Sequence, residues 1–167
     1  MYHTIEDFVQ SWTFESASTQ KQMDQLTDKS LSQAIEDGHR TLGRIAWHIV
    51  TSIPEMMSHV GLKISDVDFK APVPKTAAEI KKAYAAVSKQ VLDQVKAGWN
   101  DSTLQIEDNM YGEKWKRGNT LLILIKHEVH HRGQMTVLMR QAGLKVLGFY
   151  GPAKEEWVNY GAPAPEI

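Results

Sequence analysis

A chain of 167 residues is long enough to bury a core, and without a single cysteine it has no disulfide framework, thiolate nucleophile or Cys-based zinc site. Apolar residues at 42% and charged residues at 23% are ordinary for a soluble globular protein, and a formal net charge of −1 argues against the clustered basic face of a nucleic-acid binder. Any metal must use His, Asp, Glu or water.

The start, Met1-Tyr2-His3-Thr4-Ile5-Glu6, lacks the basic stretch and apolar core of a signal peptide. The longest apolar run, Leu121 to Ile125, is far too short to span a membrane. A cytoplasmic protein with no membrane and no nucleic-acid partner is expected. From Tyr2 to about Leu26, Ile5, Phe8, Val9, Trp12, Met23 and Leu26 fall at largely helical spacing with no Pro or Gly between them. Thr27 to Gly38 is a connection with one helical turn. A second helix spans Arg40 to His59, with Leu42, Ile45, Ile49, Ile53 and Met56 as its stripe and Gly61 as its stop. Pro54 should kink it, because its ring collides with the Val50 carbonyl. Leu62 to Lys75 is a loop. Thr76-Ala77-Ala78-Glu79 is a capping box that opens a third helix, which runs to about Ala97 with Gly98 as terminator. Trp99 to Arg117 is irregular, with Thr103 to Ile106 as a short extended piece. The fourth helix runs from about Asn119 to Gln141 and stops at Gly143. Lys145 to Pro152 is a loop, Lys154 to Asn159 a short helix, and Gly161 to Pro165 a mobile tail. Four amphipathic helices with no convincing strand predict an all-α four-helix bundle, one domain over residues 1–167.

The fourth helix carries the chemistry. Positions four apart on a helix differ by about 40° and lie ~6 Å apart along the axis, so His127 and His131 project from one face as a pair. Leu124, Met135 and Leu138 share that face, and unpaired imidazoles in an apolar stripe cost free energy. His130 lies nearer the edge and is left out of the pair. His48, on the flank of the second helix beside Ser52, is placed to turn toward a neighbour and supply a third nitrogen. Three neutral imidazoles leave an open position for water or substrate, as in a catalytic zinc site, and nickel also suits such ligands. The plainer alternative is a pair of hydrogen-bonded core histidines with His48 as an ordinary flank residue; seven histidines in the chain make some such pair unsurprising. His3, His39, His59 and His130 carry no signal beyond composition.

A rival motif lies in the same letters. His127-Glu128-Val129-His130-His131 matches H-E-x-x-H, the zincin metalloprotease signature, with Glu128 as general base and Glu155 or Glu156 available downstream as a third ligand. The helices that precede it argue against this reading, because a protease of that kind needs strands to hold an extended peptide.

His127-x-x-x-His131-Arg132-Gly133-Gln134, followed by a helix ending at Gly143, resembles the C-terminal motif of the DinB/YfiT-like family, the DNA damage-inducible family of that name and not the translesion polymerase. Trp47-His48-Ile49 is similar to the segment carrying that family's first metal histidine, and Phe149-Tyr150-Gly151-Pro152…Glu156-Trp157 to the ending of several bacterial members. The resemblance implies a four-helix bundle with long crossover connections, often a homodimer. It also implies one divalent metal ion, zinc or nickel, on His48, His127 and His131. Some relatives join a low-molecular-weight thiol such as bacillithiol or mycothiol to an electrophile; others are hydrolases or isomerases.

Several neighbours are candidates for supporting roles. Glu128 is a candidate carboxylate for an imidazole N–H, with Glu55 a more distant one. Arg132 is placed to bind an anionic group of a substrate or to form a surface salt bridge. Gln134 is placed to orient a ligand or to pack between helices. Gly133, costly in mid-helix, should mark the close approach of another helix. The leading expectation is a divalent-metal protein acting as a thiol S-transferase; the alternative is a metal-binding or dimerisation module without turnover.

Overall fold

Three of the four long helices begin at a threonine. In the computed structural model, which describes residues 1–65 and 67–166, Thr4, Thr41 and Thr76 accept hydrogen bonds from the N–H groups of Asp7, Arg44 and Glu79 at 3.1–3.3 Å. Each satisfies a donor that the helix itself leaves unpaired. Glu79 returns the contact to the Thr76 N–H at 3.2 Å, so the capping box closes as expected. The helices are α1 (Ile5–Met23), α2 (Leu42–Ser58), α3 (Ala77–Gly98) and α4 (Arg117–Gln141). α1 stops three residues short of the expected Leu26, α2 continues through Pro54, and Gly61 and Gly143 take positive φ beyond the ends of α2 and α4.

Each long helix packs against two others: α4 on α1 and α2, and α3 on α1 and α2. The cycle places α1 diagonally opposite α2, and α3 opposite α4. The chain must therefore cross the bundle after α1 and again after α3, the long crossover connections that the resemblance implied. Phe8 and Trp12 of α1, Ile49 and Ile53 of α2, Ile80 and Val87 of α3, and Leu121 and Met135 of α4 are all fully buried. Each such side chain contributes ~1.5–3 kcal/mol through removal from water. The two indoles most deeply in the core each find a carbonyl: Trp12 donates to Ser88 and Trp47 to Ala71, both at 3.0 Å.

The first crossover holds a 3-10 turn at Asp28–Ser32 and then a short antiparallel pairing of Ala34 with Thr41, reinforced by Leu42 N–H to the Gln33 carbonyl at 2.7 Å. Between them, residues 35 to 40 loop outward, every one exposed, with Gly38 turning the chain at φ +80°. The connection between α2 and α3 is a loop as expected, residue 66 of it lying outside the described residues.

The second crossover differs from the expected irregular segment. Thr103 to Ile106, expected to be extended, falls largely within a 3-10 turn at Asp101–Gln105. After it comes a hairpin, β1 (Glu107–Met110) with β2 (Glu113–Lys116), paired Met110 to Glu113 across Tyr111 and Gly112, both at positive φ. A two-residue turn of that kind matches the natural twist of a hairpin. Arg117 fastens it to Asp108 through Nε at 2.8 Å and Nη2 at 3.2 Å. The late segment Lys154–Tyr160 is the short helix expected there, of the 3-10 kind. Gly133 does not mark a close approach: a Cβ added there would meet nothing within 4 Å. The tight crossing is at Gly118, where an added Cβ would lie 2.2 Å from the Tyr2 carbonyl oxygen. Among the described residues no helix is long and apolar enough to cross a membrane.

Candidate metal centre

α2 and α4 lie side by side, and their packing brings His48 to His127 and His131. His48 Nε2 stands 3.2 Å from His127 Nε2, which stands 3.1 Å from His131 Nε2. The three nitrogens all lie within 4.8 Å of one another. Two nitrogens each ~2.0–2.1 Å from one tetrahedral ion are separated by about 3.3 Å, so these spacings suit a shared divalent cation. Among the described residues this is the one group of three His, Cys, Asp or Glu side chains so arranged.

Hydrogen bonds on the outer side of two rings fix which nitrogen faces inward. Gln134 Oε1 lies 2.7 Å from His131 Nδ1, while the Gln134 amide nitrogen lies 3.2 Å from His130 Nε2. The amide nitrogen can only donate, so Oε1 accepts the Nδ1 proton of His131, and His131 Nε2 is left with a lone pair. Ser52 gives its hydroxyl proton to the His48 carbonyl at 2.6 Å, leaving its oxygen to accept from His48 Nδ1 at 3.4 Å. Again the lone pair is on the inward Nε2. Metal-binding histidines are commonly oriented this way.

The rings are held neutral. Burial, followed by the charges of His131 and His127 and then of Arg40 and Arg44, pushes His48 down to about 4. Burial, His131, His130 and Arg40 push His127 to about 4 as well, with Glu55 opposing. Burial lowers His131 too, partly offset by its bond to Gln134. Neutral imidazoles are the chemical form a divalent metal needs, and the lone pairs assigned to His48 and His131 lie on the nitrogens nearest His127 Nε2.

The other candidates separate. Glu128 was expected beside an imidazole but turns the opposite way: its Oε1 accepts from Thr19 and from Tyr84, each at 2.7 Å, in the interior between α1 and α3. Its Oε2 is buried with no hydrogen-bond partner among the described residues, and burial raises its pKa. Glu128 is thus spent in the core and cannot serve the histidines as the base of a zincin. Glu155 pairs with Arg140 and Glu156 caps the Gly148 and Ala153 N–H groups, so neither supplies a third ligand. Arg132, expected at a substrate or on the surface, is only 3% exposed. Its guanidinium bonds to Glu15 Oε2 at 2.7 Å, the Glu15 carbonyl at 3.1 Å and Thr19 Oγ1 at 3.0 Å, beneath the rings of Phe149 and Tyr150. Tyr150 donates to the same Glu15. Arg132 is a tie between α4, α1 and the C-terminal segment.

A cavity of about 460 Å³ opens beside His131. Ile35, Ile45, Val137 and Leu138 line it with apolar surface, and His39, Arg40 and Gln134 supply its polar groups. Its size and composition suit a small organic molecule. Sequence reasoning missed Ile35, His39 and Arg40, which lie in a loop with no periodicity to mark them. Ser52 was findable, since it stands one turn from His48 on the same helix.

Comparison with known proteins agrees with this fold. The sequence model described as the DinB family matches residues 1–165. The chain is 46% identical over 167 residues, all of both proteins, to the uncharacterised protein YrdA of Bacillus subtilis (strain 168). The crystal structure of a DinB-like protein from Bacillus cereus ATCC 10987 superposes with a TM-score of 0.86 at 50% identity, over 90% of this chain and 100% of that one. A second DinB-like protein, YjoA of Bacillus subtilis, shares the fold at a TM-score of 0.68 with 14% identity, over 88% of this chain and 99% of that one. With that match across nearly its whole length, and with a three-histidine group where α2 meets α4, this chain belongs to the DinB family.

Proposed function

We propose that this protein holds one divalent cation, zinc or nickel, on His48, His127 and His131, and uses it to present a low-molecular-weight thiol to an electrophile. The observation that carries the reading is the convergence of three neutral Nε2 atoms beside an open, mostly apolar cavity. When bound, such an ion supplies Lewis acidity, lowering the pKa of a thiol or water toward neutral. Gln134 and Ser52 keep the Nδ1 protons of His131 and His48 outward, so the inward nitrogens stay free to coordinate. The cavity gives the substrate a dry wall along α4 and leaves a path for the thiol proton to solvent. Overall, the thiol loses a proton, a carbon–sulfur bond forms, and the leaving group departs with its bonding electrons. Thiol chemistry is favoured over hydrolysis because Glu128, the nearest carboxylate in sequence, is not available to assist a bound water, whereas a thiol starts from a pKa of about 8.5 and needs a much smaller shift than water to ionise near neutral pH.

The test is metal analysis of protein purified without an affinity tag, alongside His48→Ala and His131→Ala. About one equivalent is expected, lost in both variants. Loss in His131→Ala alone would remove His48 from the ligand set. A protein that takes up neither zinc nor nickel returns the histidines to a purely structural role. Metal-dependent turnover with a panel of thiols and electrophiles then separates a transferase from a binding module: metal without turnover on any pair leaves the module.

A further inference from the structure

Arg40 stands in the cavity wall with nothing to bind. Its side chain is exposed, lines the same cavity as His131, and makes no hydrogen bond or ion pair among the described residues. Arg44, four residues on and inside α2, likewise makes no side-chain hydrogen bond or ion pair among the described residues. The nearby acid Glu36 is occupied: its Oε1 lies 2.8 Å from His39 Nε2. The same cavity has apolar lining from Ile35 in the loop, Ile45 from α2 and Val137 and Leu138 from α4. A planar fork of donors matches a carboxylate or phosphate, and hydrocarbon matches the wall.

We propose that this cavity is an organic-anion site: Arg40 takes the carboxylate or phosphate of a small substrate whose apolar part lies against Ile45, Val137 and Leu138. This deepens the proposed function, on which it rests only for the reacting end of the substrate, placed at His131. It makes the preferred thiol or electrophile an acidic one and assigns that preference to Arg40.

The experiment is an NMR titration of the wild type, Arg40→Ala and Arg40→Lys with hexanoate, hexyl phosphate and hexan-1-ol, in zinc-free and zinc-supplied protein. The wild type should bind at least one of the two anions about tenfold or more tightly than the alcohol, the scale of one charge-assisted hydrogen bond, with shifts at the methyl groups of Ile45, Val137 and Leu138. Arg40→Ala should abolish that preference without changing the affinity for hexan-1-ol, and Arg40→Lys should restore part of it. The tighter of the two anions names the head group. Equal affinity for anion and alcohol in the wild type, a preference that survives Arg40→Ala, or no shift at the cavity methyls overturns the proposal. The zinc-free arm decides it, so a protein that takes up no metal but keeps the preference sinks the metal reading and leaves this one standing.

Discussion

His131 is a usable ligand because of one contact. A neutral imidazole has a single lone pair, and the Gln134 carbonyl, by accepting the Nδ1 proton, assigns that lone pair to Nε2. The residue between Arg132 and Gln134 does the opposite of what its cost implies. Gly133 is exposed in mid-helix, has no positive φ, and faces open space where a Cβ would go. Gly133→Ala should therefore raise stability by about 0.5–1 kcal/mol by restricting the unfolded chain. Urea denaturation should show a higher midpoint with an unchanged slope, and metal content should not move. A lower midpoint would mean that the glycine is needed for a contact the fold does not show.

Arg132 and Glu15 join α4 to α1, and the rings of Phe149 and Tyr150 cover the pair. Removing one partner of a buried ion pair strands the other without solvent. Arg132→Ala should cost about 3–5 kcal/mol, a large fraction of a typical domain's stability. The double variant Arg132→Met with Glu15→Leu should recover most of the loss, since the charges then leave together. Equal losses in both would show that the aromatic cover, not the charge pair, matters. This tie marks where the sequence stops being legible. Thr76 and Glu79, or Gly143 after Gln141, announce themselves because cap and helix are local. The face that carries His127 and His131 is legible for the same reason. The partner of Arg132 is 117 residues away, and nothing in a wheel diagram distinguishes a buried arginine with a distant glutamate from one at the surface. The hairpin is hidden for another reason: Glu-Asp-Asn-Met and Glu-Lys-Trp-Lys lack apolar alternation because only Met110 of its strands is fully buried.

At the scale of the molecule, the histidines are 79 residues apart in the chain and meet only because the crossovers make α2 and α4 neighbours. The unfolded chain has no such meeting point, so a bound ion should stabilise the native state. At a hundredfold excess over its dissociation constant it adds about 2.7 kcal/mol. For a chain of this length that is a rise of about 5–11 °C in Tm by calorimetry. The rise should vanish in His48→Ala. A rise of equal size in that variant would place the ion elsewhere.

The loop from 35 to 40 stands outside the bundle, closed at its base by the pairing of Ala34 with Thr41, and lends the cavity Ile35, His39 and Arg40 while burying none of its own residues. Substitutions at such exposed positions, Gly38 aside, usually change stability by no more than about 0.5 kcal/mol. Selection can therefore rewrite this segment almost freely, while the histidines and the packing beneath them stay under strict constraint. Divergence in substrate among descendants of this architecture has a six-residue stretch in which to accumulate, and a graft of that stretch from one relative to another is the smallest change that could carry a preference with it.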